Sequence, residues 1–176
     1  MTSWDRAVAV EHPVDFRLAL NGPVTLFWRE SILEDTVQWL RQHGYRVVEI
    51  DVSSTTSKVE LLVEIGRRLE FPNYFGRSLE AFNDCMGDVA SGEYGWDRSD
   101  AGLVLVLKHF RKFALLEPSV AHSILDTFTA QARYGMLFGN RLLCLVQTAD
   151  PRQRFEGVGA ERIIWNDAEA MDSSRG

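Results

Sequence analysis

Five consecutive apolar residues, Leu103-Val-Leu-Val-Leu107, constrain this chain more than any other feature. A strand with one wet face alternates apolar and polar side chains, so an unbroken run belongs to a strand covered on both faces. Helices on the two sides of a parallel sheet provide that cover. Val47-Val-Glu-Ile-Asp-Val52 alternates over a β-branched core and reads as a neighbouring strand, and Arg141-Leu-Leu-Cys-Leu-Val146 reads as a second buried one. Val24-Thr-Leu-Phe-Trp28, after the turn-prone Asn21-Gly22-Pro23, adds an N-terminal strand, and Arg162-Ile-Ile-Trp165 fits a short edge strand.

Between the strands the apolar period becomes helical. Ile32, Val37, Trp39 and Leu40 recur from Ser31 until Gly44. Ser53 to Ser57 offers N-caps for a helix from Lys58 to Leu69 that stops before Pro72. Its expected apolar stripe is Val59, Leu62, Val63, Ile65, Gly66 and Leu69, with Glu60, Glu64, Arg67 and Arg68 on the wet side. Pro118 opens a helix carrying Val120, Ile124, Leu125 and Phe128. The alternation predicts an α/β fold with a small parallel sheet, three core strands plus the added N-terminal one, packed by helices. The expected organisation is an N-terminal extension over 1–44 with its own strand–helix unit, a central domain over 45–148, and a partly flexible extension over 149–176, frayed from Ala168.

Composition narrows the function. A net charge of -6 and a pI near 5.2 argue against a nucleic-acid binder, which needs clustered Lys and Arg, and suit a basic protein partner. Cys85 and Cys144 form no Cys-x-x-Cys pair, so neither a disulfide framework nor a zinc site is expected, and a reducing cytoplasm is. Asp5, Glu11 and Asp15 interrupt the N-terminal stretch, which lacks a signal peptide's apolar region, and no run is long enough for a membrane-spanning helix.

The informative stretch is Phe71-Pro-Asn-Tyr-Phe-Gly-Arg-Ser-Leu-Glu-Ala-Phe-Asn-Asp-Cys-Met86, a turn feeding a short helix with Ser78 as N-cap. Leu79, Phe82, Met86 and Val89 define its buried face, with Cys85 beside it, and Glu80, Asp84 and Asp88 fall on the opposite side. Like charges spaced i, i+4 and i+8 destabilise a helix by about 0.2–0.5 kcal/mol per pair. Asp88 is also opposed by the helix dipole. Folding alone gives no reason for this stripe. A solvated acidic face is the plain alternative, but the aromatics Tyr74, Phe75, Tyr94 and Trp96 flank the acids, a composition typical of an interface. Each of these could individually be core, and for Phe75 that is the better reading.

At this point the sequence resembles the barstar family of ribonuclease inhibitors. Members carry Pro-x-Tyr-(Tyr/Phe)-Gly-x-(Asn/Ser)-Leu-x-Ala-(Leu/Phe)-x-Asp-Cys, which this chain matches from Pro72 to Cys85, and the order of elements agrees over roughly residues 45–148. The resemblance implies a non-enzymatic, barstar-like inhibitor or immunity protein whose motif helix and preceding loop plug the active-site cleft of a basic, secreted or toxin ribonuclease. The implied partner-binding residues are Tyr74, Gly76, Ser78, Glu80, Asn83, Asp84 and Asp88, with Asp84 foremost. A nuclease cleft is built to receive phosphate, and a carboxylate accepting bidentate arginine bonds imitates one. The sequence departs from a well-known member in having Asn83 where that protein has Trp, and Ala130 or Gln131 where it has an acid. The alternative is a non-inhibitory interaction or regulatory module that keeps the fold.

Other chemistries find little support. His12, His43, His109 and His122 are scattered without ligand spacing, and Glu80, Asp84 and Asp88 lie in a line on one helix, not in a metal cage. Gly157-Val-Gly-Ala lacks the third glycine of a dinucleotide fingerprint. No cofactor or metal is expected. A hydrolase using Glu80 and Asp84 as a carboxylate pair lacks a supporting base or phosphate loop.

Overall fold

A computed structural model describes residues 12–170. Five parallel strands, β1 (Val24–Phe27), β2 (Arg46–Asp51), β3 (Leu103–Lys108), β4 (Leu142–Gln147) and β5 (Ile164–Trp165), form one sheet in the order β2-β3-β4-β1-β5. The helices are α1 (Val14–Leu20), α2 (Glu30–Gln42), α3 (Lys58–Arg68), α4 (Leu79–Ser91), α5 (Phe110–Leu116) and α6 (Pro118–Met136), with a 3-10 turn at Asp167–Glu169.

The apolar run of β3 divides between two cores, as the pleat requires. Leu103, Leu105 and Leu107 join Leu62 of α3, Met86 of α4, Phe113 of α5 and Phe128 of α6, while Val104 and Val106 meet Leu18 of α1 and Leu33, Val37 and Leu40 of α2. In β4, Leu142, Cys144 and Val146 face the first core and Leu143 and Leu145 the second. The N-terminal strand is therefore not a simple outer addition. β1 sits between β4 and β5, and the helices around it cover the sheet's second face.

Four local expectations change. α1 and α5 were not legible, because each has only seven residues, too few to display a period. In α3 the buried side chains are Leu61, Leu62 and Ile65 around Gly66, whereas Val59 and Val63 are exposed. Val59 and Val63 lie one turn apart on the rim, so the buried face is rotated toward Leu61. Tyr94 and Trp96, grouped with the acids as flanking aromatics, are half-buried against the core, with the Tyr94 hydroxyl reaching Asp88. Fraying from Ala168 does not apply to 168–170. Asn166 accepts a hydrogen bond from Ala168 N at 3.0 Å, and the fully buried Glu169 accepts from Trp28 N, Arg29 N and Arg29 Nε at 2.9, 3.0 and 3.0 Å. The rest of that segment, 171–176, lies outside the described residues.

Stability should fall in acid. The backbone and side chain of Ser53 hold the Asp51 carboxyl down to about 2, and hydrogen bonds from Arg67 and then Arg68 hold Glu64 below the usual carboxylate range. The Arg152 backbone and the Arg111 side chain do the same for Asp150. A carboxyl whose folded pKa is lowered favours the folded state above its unfolded pKa, and this contribution disappears as pH falls through the folded value. Melts should hold a steady midpoint down to about pH 4.5 and drop from there toward about pH 2. A flat midpoint through that window would contradict the assignment.

Candidate partner-binding site

The loop from α3 to α4 is anchored by two phenylalanines. Phe71 and Phe75 meet edge to face at 5.0 Å over Gly66, where a Cβ would stand 3.1 Å from Phe71 and 3.3 Å from Phe75. A Cβ there would force the two rings to give by a few tenths of an ångström, so glycine lets them pack most closely. With Phe71 and Phe75 turned inward, Tyr74 is left 81% exposed. Arg77, the one cation of the motif, follows in the left-handed region at φ 56, which costs a non-glycine residue about 1–2 kcal/mol.

Both ends of α4 are capped. The Ser78 side chain accepts from Ala81 N at 3.1 Å, and at the other end left-handed Gly92 (φ 81) donates to Val89 O while Glu93 N donates to Asp88 O, a Schellman arrangement. Trp96 Nε1 donates to Val89 O at 2.8 Å. The Tyr94 hydroxyl is placed to donate to Cys85 O at 3.2 Å or to Asp88 Oδ2 at 3.1 Å. Tyr94 and Trp96 thus hold the helix end that presents the acids. Leu79 is half-buried, and Phe82, Cys85, Met86 and Val89 are buried, so the helix shows its acidic side to water.

Glu80, Asn83, Asp84 and Asp88 are all exposed. Asn83, Asp84 and Asp88 line a groove of about 520 Å³ between α4 and α6, completed by Gly87, Ser91, Ala130, Gln131 and Tyr134. Tyr74, Gly76 and Glu80 stand outside that groove, on the loop and the first turn, and the Ser78 side chain is occupied in capping. Across the groove Gln131 Nε2 donates to Asn83 Oδ1 at 2.9 Å. Asn83, which departs from the family pattern, is thus in contact with the α6 stretch Ala130–Gln131 where the other departure falls, a pairing not legible from their separation in sequence.

Among the described residues, no salt bridge engages Glu80, Asp84 or Asp88. The backbone N–H of Glu80, then the Ser78 side chain, hold the Glu80 carboxyl below its ordinary pKa, so this acid stays ionised in mildly acidic solution. Burial, with Asp88 and Asp84 adding to it, pushes the Cys85 thiol up despite the Tyr94 hydrogen bond, the wrong direction for a nucleophile. Cys85 and Cys144 are free and buried. Among the described residues, no three His, Cys, Asp or Glu side chains gather to hold a metal ion, and no helix is long and apolar enough to cross a membrane.

The sequence reading missed one feature beside the groove. Tyr134, Met136, Leu137 and Phe138 are all exposed, and Tyr134 stacks edge-on against Phe138 at 5.1 Å. The available signal was four large apolar residues within five positions at the end of a helix whose core stripe was already complete.

No curated protein matches the chain. Residues 45–147, which hold β2 through β4 and the motif helix, match the family model described as Barstar (barnase inhibitor). The match covers well over half of the 176 residues, and with the capped acidic helix in place within it, the chain belongs to the barstar family.

Proposed function

We propose that this chain is a non-enzymatic inhibitor, of the immunity-protein kind, that acts in the cytoplasm by occupying the active-site cleft of a basic ribonuclease. The observation that carries the reading is Asp84, exposed at the centre of a helix capped at both ends, with acids one turn before and one turn after it and no salt-bridge partner among the described residues. Repulsion that folding does not require becomes useful when a cationic cleft arrives, because each carboxylate then gains charge-assisted hydrogen bonds. Tyr74 supplies an apolar contact next to the acids at small entropic cost.

The test is a titration of purified barnase-type basic ribonucleases against the chain, following RNA cleavage. One-to-one inhibition is expected, with an association rate that falls steeply between low and physiological salt, since steering acts over a Debye length of about 8–10 Å. Barnase and barstar are themselves the reference case for such steering, so this expectation is carried over from that pair. Dissociation should respond less to salt. Absence of inhibition at about micromolar chain would exclude the reading. A non-inhibitory interaction module then becomes the better account, favoured by one observation: the Asn83–Gln131 bond lays neutral amides across the groove.

A further inference from the structure

We infer that the partner surface does not end at the acidic helix but continues onto the apolar corner at the end of α6, so that the partner is a basic protein with an apolar recess beside its cationic cleft. This rests on the inhibitor reading and extends it. Tyr134, Met136, Leu137 and Phe138 are 44%, 66%, 78% and 56% exposed, a concentration of large apolar side chains that soluble surfaces seldom leave uncovered. The corner is continuous with the groove. Tyr134 lines the groove with Asp84 and Asp88 and touches Phe138 on its other side.

The corner is also held still. Leu137 N donates to Tyr134 O at 3.1 Å and Phe138 N to Gly135 O at 2.9 Å, while Asn140 Nδ2 donates to Ala90 O of α4 at 2.8 Å. The apolar side chains are therefore fixed relative to the acids, which lowers the ordering cost of binding both at once. Aromatic and aliphatic anchors next to a charged patch are the composition of an interface whose packed part sets lifetime while the charges set encounter.

Charge selects among occupants. A second copy docking through this corner by a two-fold axis would set one acidic α4 face near the other; the last turn of α4 holds no basic residue to relieve it, and Arg133 in the last turn of α6 is already paired with Glu161. A basic partner meets attraction where a second copy meets repulsion.

The test uses the full-length chain with a barnase-type ribonuclease that the wild type inhibits. Leu137→Ser with Phe138→Ser should raise Kd about 10- to 100-fold, through faster dissociation, with association nearly unchanged. Both side chains are exposed, so the melting midpoint should stay within a degree or two of wild type, about the scatter of surface substitutions. Leu115→Ser, an exposed leucine on α5, is the control and should leave Kd within about twofold. An unchanged Kd in the double variant, with wild-type inhibition intact, overturns the extension and leaves the inhibitor reading standing. Wild type that inhibits no ribonuclease of the panel overturns that reading, and the extension with it. Sedimentation is the second arm: a wild-type dimer that the double variant dissolves would assign the corner to a second copy and overturn the choice of a basic partner.

Discussion

Glu169→Ala is expected to destabilise the protein by about 3–5 kcal/mol, the usual result of removing one partner of a buried ion pair. Glu169 is completely buried and its carboxylate accepts two backbone N–H groups, from Trp28 and Arg29, besides Arg29 Nε at 3.0 Å. Alanine would remove that acceptor from two amides at the start of α2 and from a guanidinium whose side chain is only 20% exposed. For a domain of this size the melting midpoint should fall by roughly 6–20 °C. Glu169→Gln keeps one acceptor oxygen and should recover part of the loss. Glu161→Ala, which removes a surface pair with Arg133, should cost no more than about 1 kcal/mol. Equal midpoints for Glu169→Ala and wild type would mean that the C-terminal segment does not tie β1 to the rest of the sheet.

That tie shows where sequence reading stopped. β2, β3 and β4 were legible because each carries either alternation or an unbroken apolar run, β1 and β5 from strand-forming residues beside turn-prone ones, and the motif helix because Ser78, Phe82, Met86 and Val89 fall at the spacings of a capped amphipathic helix. Glu169 gave no such signal. Near the end of a polar segment a lone glutamate looks solvated, and its burial depends on Trp28 and Arg29, about 140 residues earlier, being brought to the same end of the sheet. The existence of β1 was readable from Val24 to Phe27, but its place between β4 and β5 was not, since order in a sheet is fixed by long-range packing.

The candidate site divides in the same way. Glu80, Asp84 and Asp88 share one helix face, so their exposure followed from periodicity, whereas Tyr74, in the turn before the helix, was grouped with them as a flanking aromatic and through the family motif. Asn83 was grouped with them through the family motif. What periodicity could not give was the second wall. Gln131, Ala130 and Tyr134 come from α6, and only the packing of α6 against α4 makes a groove of them. For Tyr94 and Trp96 the interface and core readings both stayed open, because composition alone cannot distinguish a ring that meets a partner from one that donates to the Cys85 and Val89 carbonyls.

Asp84→Lys is expected to abolish inhibition while slightly raising stability, two effects of opposite sign that separate a binding role from a structural one. In the free chain Asp84 stands one turn from Glu80 and one turn from Asp88, all three exposed. Lysine there replaces two like-charge contacts with two attractive ones, each worth about 0.2–0.5 kcal/mol, the Glu80–Lys order being the better of the two. In the complex the same change sets two cations against each other at the centre of the interface, and disrupting a desolvated charge pair there costs about 2–5 kcal/mol or more, a loss of roughly 30-fold to several thousandfold in affinity. Leu105→Asp provides the contrast. Leu105 is 1% exposed in a central strand, and an unpaired charge there should unfold the domain, so that inhibition and the cooperative melt are lost together. A thermal melt and a ribonuclease titration on each variant settle the matter. Should Asp84→Lys melt well below wild type, Asp84 would be holding the fold and its exposure on α4 would have been misread. Were it instead to melt like wild type and inhibit equally well, the acidic helix would have no part in recognition, because a basic cleft cannot accept a lysine at its centre at no cost.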